Sequence, residues 1–161
     1  MHTEETIAAL DRAPKIVVPL VRQAAPAIVK RRPPSGKWSI HEHACHLAEV
    51  RPLFFQRLDL MLSEDMPQIR SYDPGRDDRP DALLAVDLDT ALRRFEEDRG
   101  RLVGRLRELQ PDDWTRTANH EEYNSYSVLT MFRHLALHDF FHAYRIEELL
   151  LRPSWAEGST A

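Results

Sequence analysis

The chain has 161 residues, enough for one hydrophobic core and short for two, so a single domain over 1–161 is expected. Its 22 basic and 26 acidic residues give a net charge of −4, with arginines interleaved among acids as in Arg93-Arg94-Phe95-Glu96-Glu97. That balance argues against a nucleic-acid binder, which would carry a basic face, and fits solvated helix surfaces with mixed pairs.

The first helix is predicted to start near Thr3, a suitable N-cap with Glu4 and Glu5 in the first turn. Pro14 and Pro19 are expected to kink or split it, and it should fade before the loop Arg31-Arg32-Pro33-Pro34-Ser35-Gly36. The second helix follows Trp38. Ser39 is its cap and Glu42 completes a capping box. Ile40, Ala44, Leu47, Phe54, Leu58 and Met61 form one apolar stripe, and Pro52 should bend the helix just past a histidine cluster.

Residues 64–86 read as a long Pro- and Asp-rich connection, a lid or a crossover. The third helix is predicted from Asp87 to Leu109, with Leu88, Leu92, Phe95, Leu102, Leu106 and Leu109 on its seam. Arg99 interrupts that seam. It reads first as an arginine snorkelling at the bundle edge, with anion binding as the rival role. A second loop, Gln110 to Tyr126, holds Trp114, His120 and Asn124. The fourth helix should start at Ser127 and end before Pro153. Its seam is Val128, Met131, Leu135, His138, His142, Arg145 and Leu149. No hairpin signal is evident.

No secretory or membrane-spanning segment is expected: the N-terminus lacks a basic stretch, and the longest apolar run, Ile16 to Val21, contains Pro19. Cys45 is the only cysteine, so a reducing cytoplasm is the expected compartment.

The chemistry concentrates in histidine. Six of eight histidines fall in two groups, His41/His43/His46 and His134/His138/His142. His138 and His142 are four apart and project from one side of a helix, so both can reach one divalent ion. They occupy seam positions, where two buried imidazoles on adjacent turns need a shared partner. A satisfied core histidine is the ordinary alternative. His46, beside the stripe residue Leu47, is the first choice for a third ligand and His43 the rival. His41 points about 140° away from His46 on the helical wheel and is expected to be exposed.

His134 flanks the fourth-helix seam. Asp139 stands where a metalloprotease helix carries its glutamate base, so proteolysis is not indicated. Asp139 and Glu42 read instead as carboxylates that orient ligands or cap helices. Three imidazoles leave an open coordination position that can lower the pKa of water or a thiol. Zn²⁺ and Ni²⁺ lead among the ions that suit such a donor set, with Co²⁺ and Fe²⁺ also compatible. Cys45 adjoins His46 but diverges by about 100°, as a packed residue would.

The stretch Trp38-Ser39-Ile40-His41-Glu42-His43-Ala44-Cys45-His46-Leu47-Ala48-Glu49 resembles the Trp-Ser-x-x-Glu-x-x-x-His-Leu segment of the DinB-like (DinB/YfiT) superfamily. His134 to Ile146 is similar to that family's second signature. The resemblance implies an all-α, four-helix bundle of up-down-down-up topology, with a long connection between helices 2 and 3. It also implies a divalent metal on His46, His138 and His142, and dimers as a common state. Among its members are metal-dependent thiol transferases and isomerases that use bacillithiol, mycothiol or glutathione. The chain departs from the pattern at Arg145, where a glutamine is frequent, and near Asn124, where a glycine is.

Two functions follow as expectations. One is a transferase that activates a low-molecular-weight thiol for attack on an electrophilic small molecule, with Arg99 and Arg145 meeting an anionic substrate or cofactor. The other is a binding or stress-response module with a structural metal, its fourth coordination position closed by His134, His43 or Glu42. Neither nucleic acid nor membrane is an expected partner; a homodimer is.

Overall fold

The computed structural model describes residues 1–73, 79 and 81–152, with no account of the Arg51 side chain. Part of the expected connection (74–78 and 80) and the C-terminal 153–161 lie outside the described residues.

The long helices are α1 (Thr3–Gln23), α3 (Ile40–Glu49) continued by α4 (Arg51–Ser63), α5 (Leu88–Arg107) and α7 (Val128–Leu150). Short helices α2 (Pro26–Val29) and α6 (Pro111–Thr115) and a 3₁₀ turn (Ala82–Ala85) lie in the connections. Among these described helices, none is long and apolar enough to cross a membrane.

Helix α1 is not split: Pro14 and Pro19 both lie inside one continuous helix. Each proline removes a hydrogen bond, but Leu10, Ala13, Pro14, Val17, Val18 and Val21 are buried against the bundle. Packing of that face outweighs the missing donors; burial of one large aliphatic side chain alone contributes about 1.5–3 kcal/mol. Pro52 acts as expected. It cannot donate to the turn before it, and the second helix breaks at Val50 into α3 and α4.

Helix α1 and the α3–α4 helix each pack against both α5 and α7. The core forms two apolar clusters, one at each end of the bundle. Ile7, Leu10, Phe54, Leu58, Leu102, Leu106, Met131 and Leu135 belong to one. Val17, Val21, Ile40, Leu47, Leu92, Phe95, Ile146 and Leu149 belong to the other.

Residue numbers rise from the first cluster to the second in α1 and α7 and fall in that direction in α3–α4 and α5, which is the up-down-down-up order. Two ion pairs at parallel register, Glu49–Arg94 and Asp59–Arg105, show α3–α4 and α5 running the same way. Parallel neighbours cannot be joined by a tight turn, which explains the long connection between them.

The absence of a hairpin signal is corrected: among the described residues there are three short strands, β1 (Gln68–Ile69), β2 (Thr117–His120) and β3 (Tyr126–Ser127). β1 pairs in parallel with β2 (Gln68 with Asn119, Ile69 with His120), and β2 is antiparallel to β3 (Ala118 with Tyr126). Strands of two to four residues are too short to show alternation in sequence. They tie the two long connections together and hold the β2–β3 hairpin beside the polar residues between the two clusters.

Candidate metal centre

Two well-capped helices deliver the histidines. At the start of α3, the Ser39 hydroxyl accepts from the Glu42 amide at 3.2 Å, and Glu42 accepts from the Ser39 amide at 2.9 Å. Arg32 donates to both Glu42 oxygens and pairs with Asp81 at 2.6 Å. Burial raises the Glu42 pKa, but Arg32 and Ser39 outweigh it and hold the carboxylate ionised. Helix α7 is capped by the Ser127 hydroxyl on the Thr130 amide at 3.1 Å.

The structure brings His46, His138 and His142 together. His138 Nε2 lies 3.1 Å from His46 Nε2 and 3.1 Å from His142 Nε2. Nitrogens bound tetrahedrally to one ion at 2.0–2.1 Å would stand about 3.3 Å apart, so this donor set fits a divalent metal. Among the described residues it is the one group of histidine, cysteine or carboxylate donors that converges this closely.

Burial lowers the pKa of His46 to about 3, helped by the neighbouring His138 and His43. The same causes push His142 well below the usual imidazole range. These rings are neutral near pH 7, the form that binds metal.

The expected closing ligands lie elsewhere. His43 turns its Nδ1 to His142 Nδ1 at 2.8 Å, Glu42 is held by Ser39 and Arg32, and His134 packs against Tyr123 at 5.7 Å between ring centroids. His41 is not exposed as the helical wheel suggested. It is fully buried, with Nε2 3.0 Å from the Leu83 carbonyl of the 3₁₀ turn, because that turn covers the outer face of α3. Cys45 is buried in an apolar cluster, which pushes its thiol pKa up to about 12.

Arg99 does not snorkel. It is 1% exposed and grips Asp139 with two bonds of 2.7 Å, Nε to Oδ2 and Nη2 to Oδ1. Its guanidinium also covers the Phe95 ring at 4.9 Å. These contacts tie α5 to α7 at the residue after His138, so Arg99 meets Asp139 where a bound anion had been the rival expectation. Burial raises the Asp139 pKa, yet Arg99 holds it below the usual value. His138 Nδ1 stands 3.8 Å from Asp139 Oδ1, too far for a hydrogen bond but close enough to feel its charge. Arg145 is partly exposed and ion-paired with Glu148, and its charge opposes protonation of His43.

Several neighbours were not legible as site residues. The Trp38 ring lies 4.9 Å from His46 and 5.5 Å from His43, and stacks on His142 at 5.9 Å. Tyr72 lies parallel to His46 at 6.4 Å. A cavity of about 220 Å³ opens beside the cluster, with His46 and His138 on its wall together with Arg57, His120, Tyr126 and His134. Only Trp38, in the Trp-Ser pair before α3, and His134, in the histidine group of α7, carried a signal; Tyr72, His120 and Tyr126 come from the connections and Arg57 from the middle of α4.

A sequence model of the DinB superfamily matches residues 9–146. A protein of Oceanobacillus iheyensis named "Putative metal-dependent hydrolase" is 30% identical over 122 residues, covering 75% of this chain and 70% of that protein. YfiT of Bacillus subtilis, similarly named, is 27% identical over 124 residues, covering 75% and 68%. A solved structure of Bacillus subtilis YfiT, described as a probable metal-dependent hydrolase with an unusual four-helix bundle topology, superposes with a TM-score of 0.84 at 23% identity, over 95% of this chain and 88% of that one. With the family pattern spanning all four long helices and the fold agreeing over 95% of its length, the chain belongs to the DinB superfamily.

Proposed function

We propose that the protein is a metal-dependent hydrolase of small substrates, with one divalent ion held by His46, His138 and His142. The observation that carries this reading is the convergence of three imidazole Nε2 atoms beside a cavity. The names of its relatives agree with it. When bound, such an ion supplies Lewis acidity and lowers the pKa of water near it.

The chain's own residues supply the rest. Asp139, locked by Arg99, fixes the α7 backbone between His138 and His142. Trp38 covers the cluster on one side and keeps water from that face of the rings. The cavity walls admit a molecule smaller than a typical drug. No carboxylate belongs to the converging donor group, which sets this arrangement apart from a His-Glu protease helix. Zinc and nickel remain the first ions to load, since both suit nitrogen donors.

The test pairs metal analysis with a panel of nitrophenyl esters and anilides. Wild-type protein is expected to hold about one equivalent of Zn²⁺ or Ni²⁺ and to hydrolyse at least one member, with activity lost on chelation and restored on reloading. His138→Ala at equal folding should lose both metal and activity. Turnover that depends on added low-molecular-weight thiol would replace hydrolysis with thiol transfer. Stoichiometric metal without turnover of any member would leave a structural ion.

A further inference from the structure

Two arginines are deeply buried among the described residues, and they differ in one respect. Arg99 has Asp139. Arg57, 8% exposed on α4, has no carboxylate within ion-pair distance among the described residues. The half-exposed Arg32, Arg94 and Arg105 each meet an acid. Arg116 also lacks one, but it donates to the Met61 and Glu64 carbonyls at the end of α4, where a cation suits the helix terminus.

Arg57 lies inside α4 and faces the cavity beside the histidines. A buried charge without a counter-charge is costly, and such groups are ordinarily paired.

The geometry of Arg57 leaves capacity for a partner. Nη1 donates to the Tyr126 hydroxyl at 3.3 Å, and Nη2 donates to the Arg70 carbonyl at 2.5 Å. A guanidinium has five N–H donors, so three have no acceptor among the described residues. The Tyr126 oxygen accepts from Arg57, so its own O–H is available as a further donor. Burial lowers the pKa of His120 and His134, and the Arg57 charge across the cavity adds to that lowering. Glu122 also lines the cavity, but it is exposed and makes no ion pair with Arg57.

We propose that Arg57 and the Tyr126 hydroxyl form an anion-recognition subsite. The substrates are then small molecules bearing a carboxylate or phosphate group, whose labile bond lies toward His46 and His138. The second half of this statement rests on the hydrolase reading; the binding of an anion at Arg57 does not.

Calorimetric titration of glutarate and of inorganic phosphate into chelator-treated protein reads the subsite without metal or turnover. Wild type is expected to bind at least one of them. Arg57→Gln should weaken that binding about tenfold or more, as loss of a charged hydrogen-bonding partner does. Arg57→Lys should fall between, and Tyr126→Phe should weaken binding with the cation retained. No binding by wild type, or equal affinity in wild type and folded Arg57→Gln, overturns the proposal. If Arg57→Gln does not fold, unchanged affinity in both Arg57→Lys and Tyr126→Phe overturns it.

In metal-loaded protein, the kcat/KM ratio of mono-4-nitrophenyl glutarate to 4-nitrophenyl acetate should exceed one and drop about tenfold in Arg57→Gln. Anion binding without hydrolysis of either ester removes the hydrolase reading and leaves the subsite. Hydrolysis without anion binding or ester preference removes the subsite and leaves the hydrolase.

Discussion

His43 and His142 face each other through their Nδ1 atoms at 2.8 Å, and that contact fixes which nitrogen of His142 can hold a metal. One of the two Nδ1 atoms must carry the proton. With His142 Nε2 turned to His46 and His138, a lone pair is available there when Nδ1 bears the hydrogen and donates it to His43. His43 thus orients His142 for the proposed ion, and among the described residues no carboxylate or backbone carbonyl bonds to His142 Nδ1 in its place.

Replacement of His43 by leucine should therefore weaken Zn²⁺ or Ni²⁺ binding by about 10- to 100-fold while the other three histidines stay in place. Competition with a chelating indicator measures this. Unchanged affinity in a folded His43→Leu protein would show that the contact has no bearing on the ligand.

The buried Arg99–Asp139 pair sets up an asymmetric stability experiment. Removing one partner strands the other charge in the core, so Arg99→Met or Asp139→Leu alone should cost about 3–5 kcal/mol. The double replacement Arg99→Met/Asp139→Leu should recover much of that loss, because it leaves no unpaired charge. Urea unfolding of the four proteins reads the cycle, and additive losses would contradict a coupled pair.

The metal-free protein should weaken in acid. Burial, with the Arg145 charge, lowers His43 to about 4; burial, with neighbouring imidazoles, lowers His46 to about 3. The unfolded chain binds protons near pH 6.5, so between about 6.5 and 4 it holds more of them than the folded chain. Stability from these rings is fully present above the unfolded value and drains as pH falls. Glu42 and Asp139, both lowered, add a second loss below the ordinary carboxylate range. Unfolding midpoints at pH 7.5, 6.5, 5.5 and 4.5 should decrease in that order. A flat profile down to 4.5 would mean that the imidazoles are not desolvated.

Much of this site was legible because helical spacing is local. His138 and His142 share a face by their separation alone, and the Ser39–Glu42 box announced the start of the helix that carries His46. What escaped depends on contacts far apart in sequence. The burial of His41 is made by Leu83, 42 residues on. The placement of Tyr126 beside Arg57 depends on a hairpin of two short strands, 69 residues from that arginine. Arg99 broke its seam visibly, but its partner Asp139 sits 40 residues away and read as a carboxylate that orients a ligand or caps the helix. Periodicity sorts residues onto faces; it does not say which face meets which.

Trp38 offers a direct optical view of the cluster. Its indole contacts His43, His46 and His142, whereas Trp114 packs on Phe132 in the apolar cluster at the other end of the bundle. In a Trp114→Phe/Trp155→Phe background, Trp38 is the sole indole of the chain. Adding Co²⁺ or Ni²⁺ to the metal-free form of that protein should change the emission of Trp38 strongly and saturate at about one equivalent, since these ions quench a ring a few ångströms away. Zn²⁺ should instead shift the band modestly by fixing the imidazoles. The same titration on His138→Ala should lose the saturable step. A saturable quench that survives in His138→Ala would place the ion outside the trio of His46, His138 and His142, and would remove the basis for assigning these histidines as ligands.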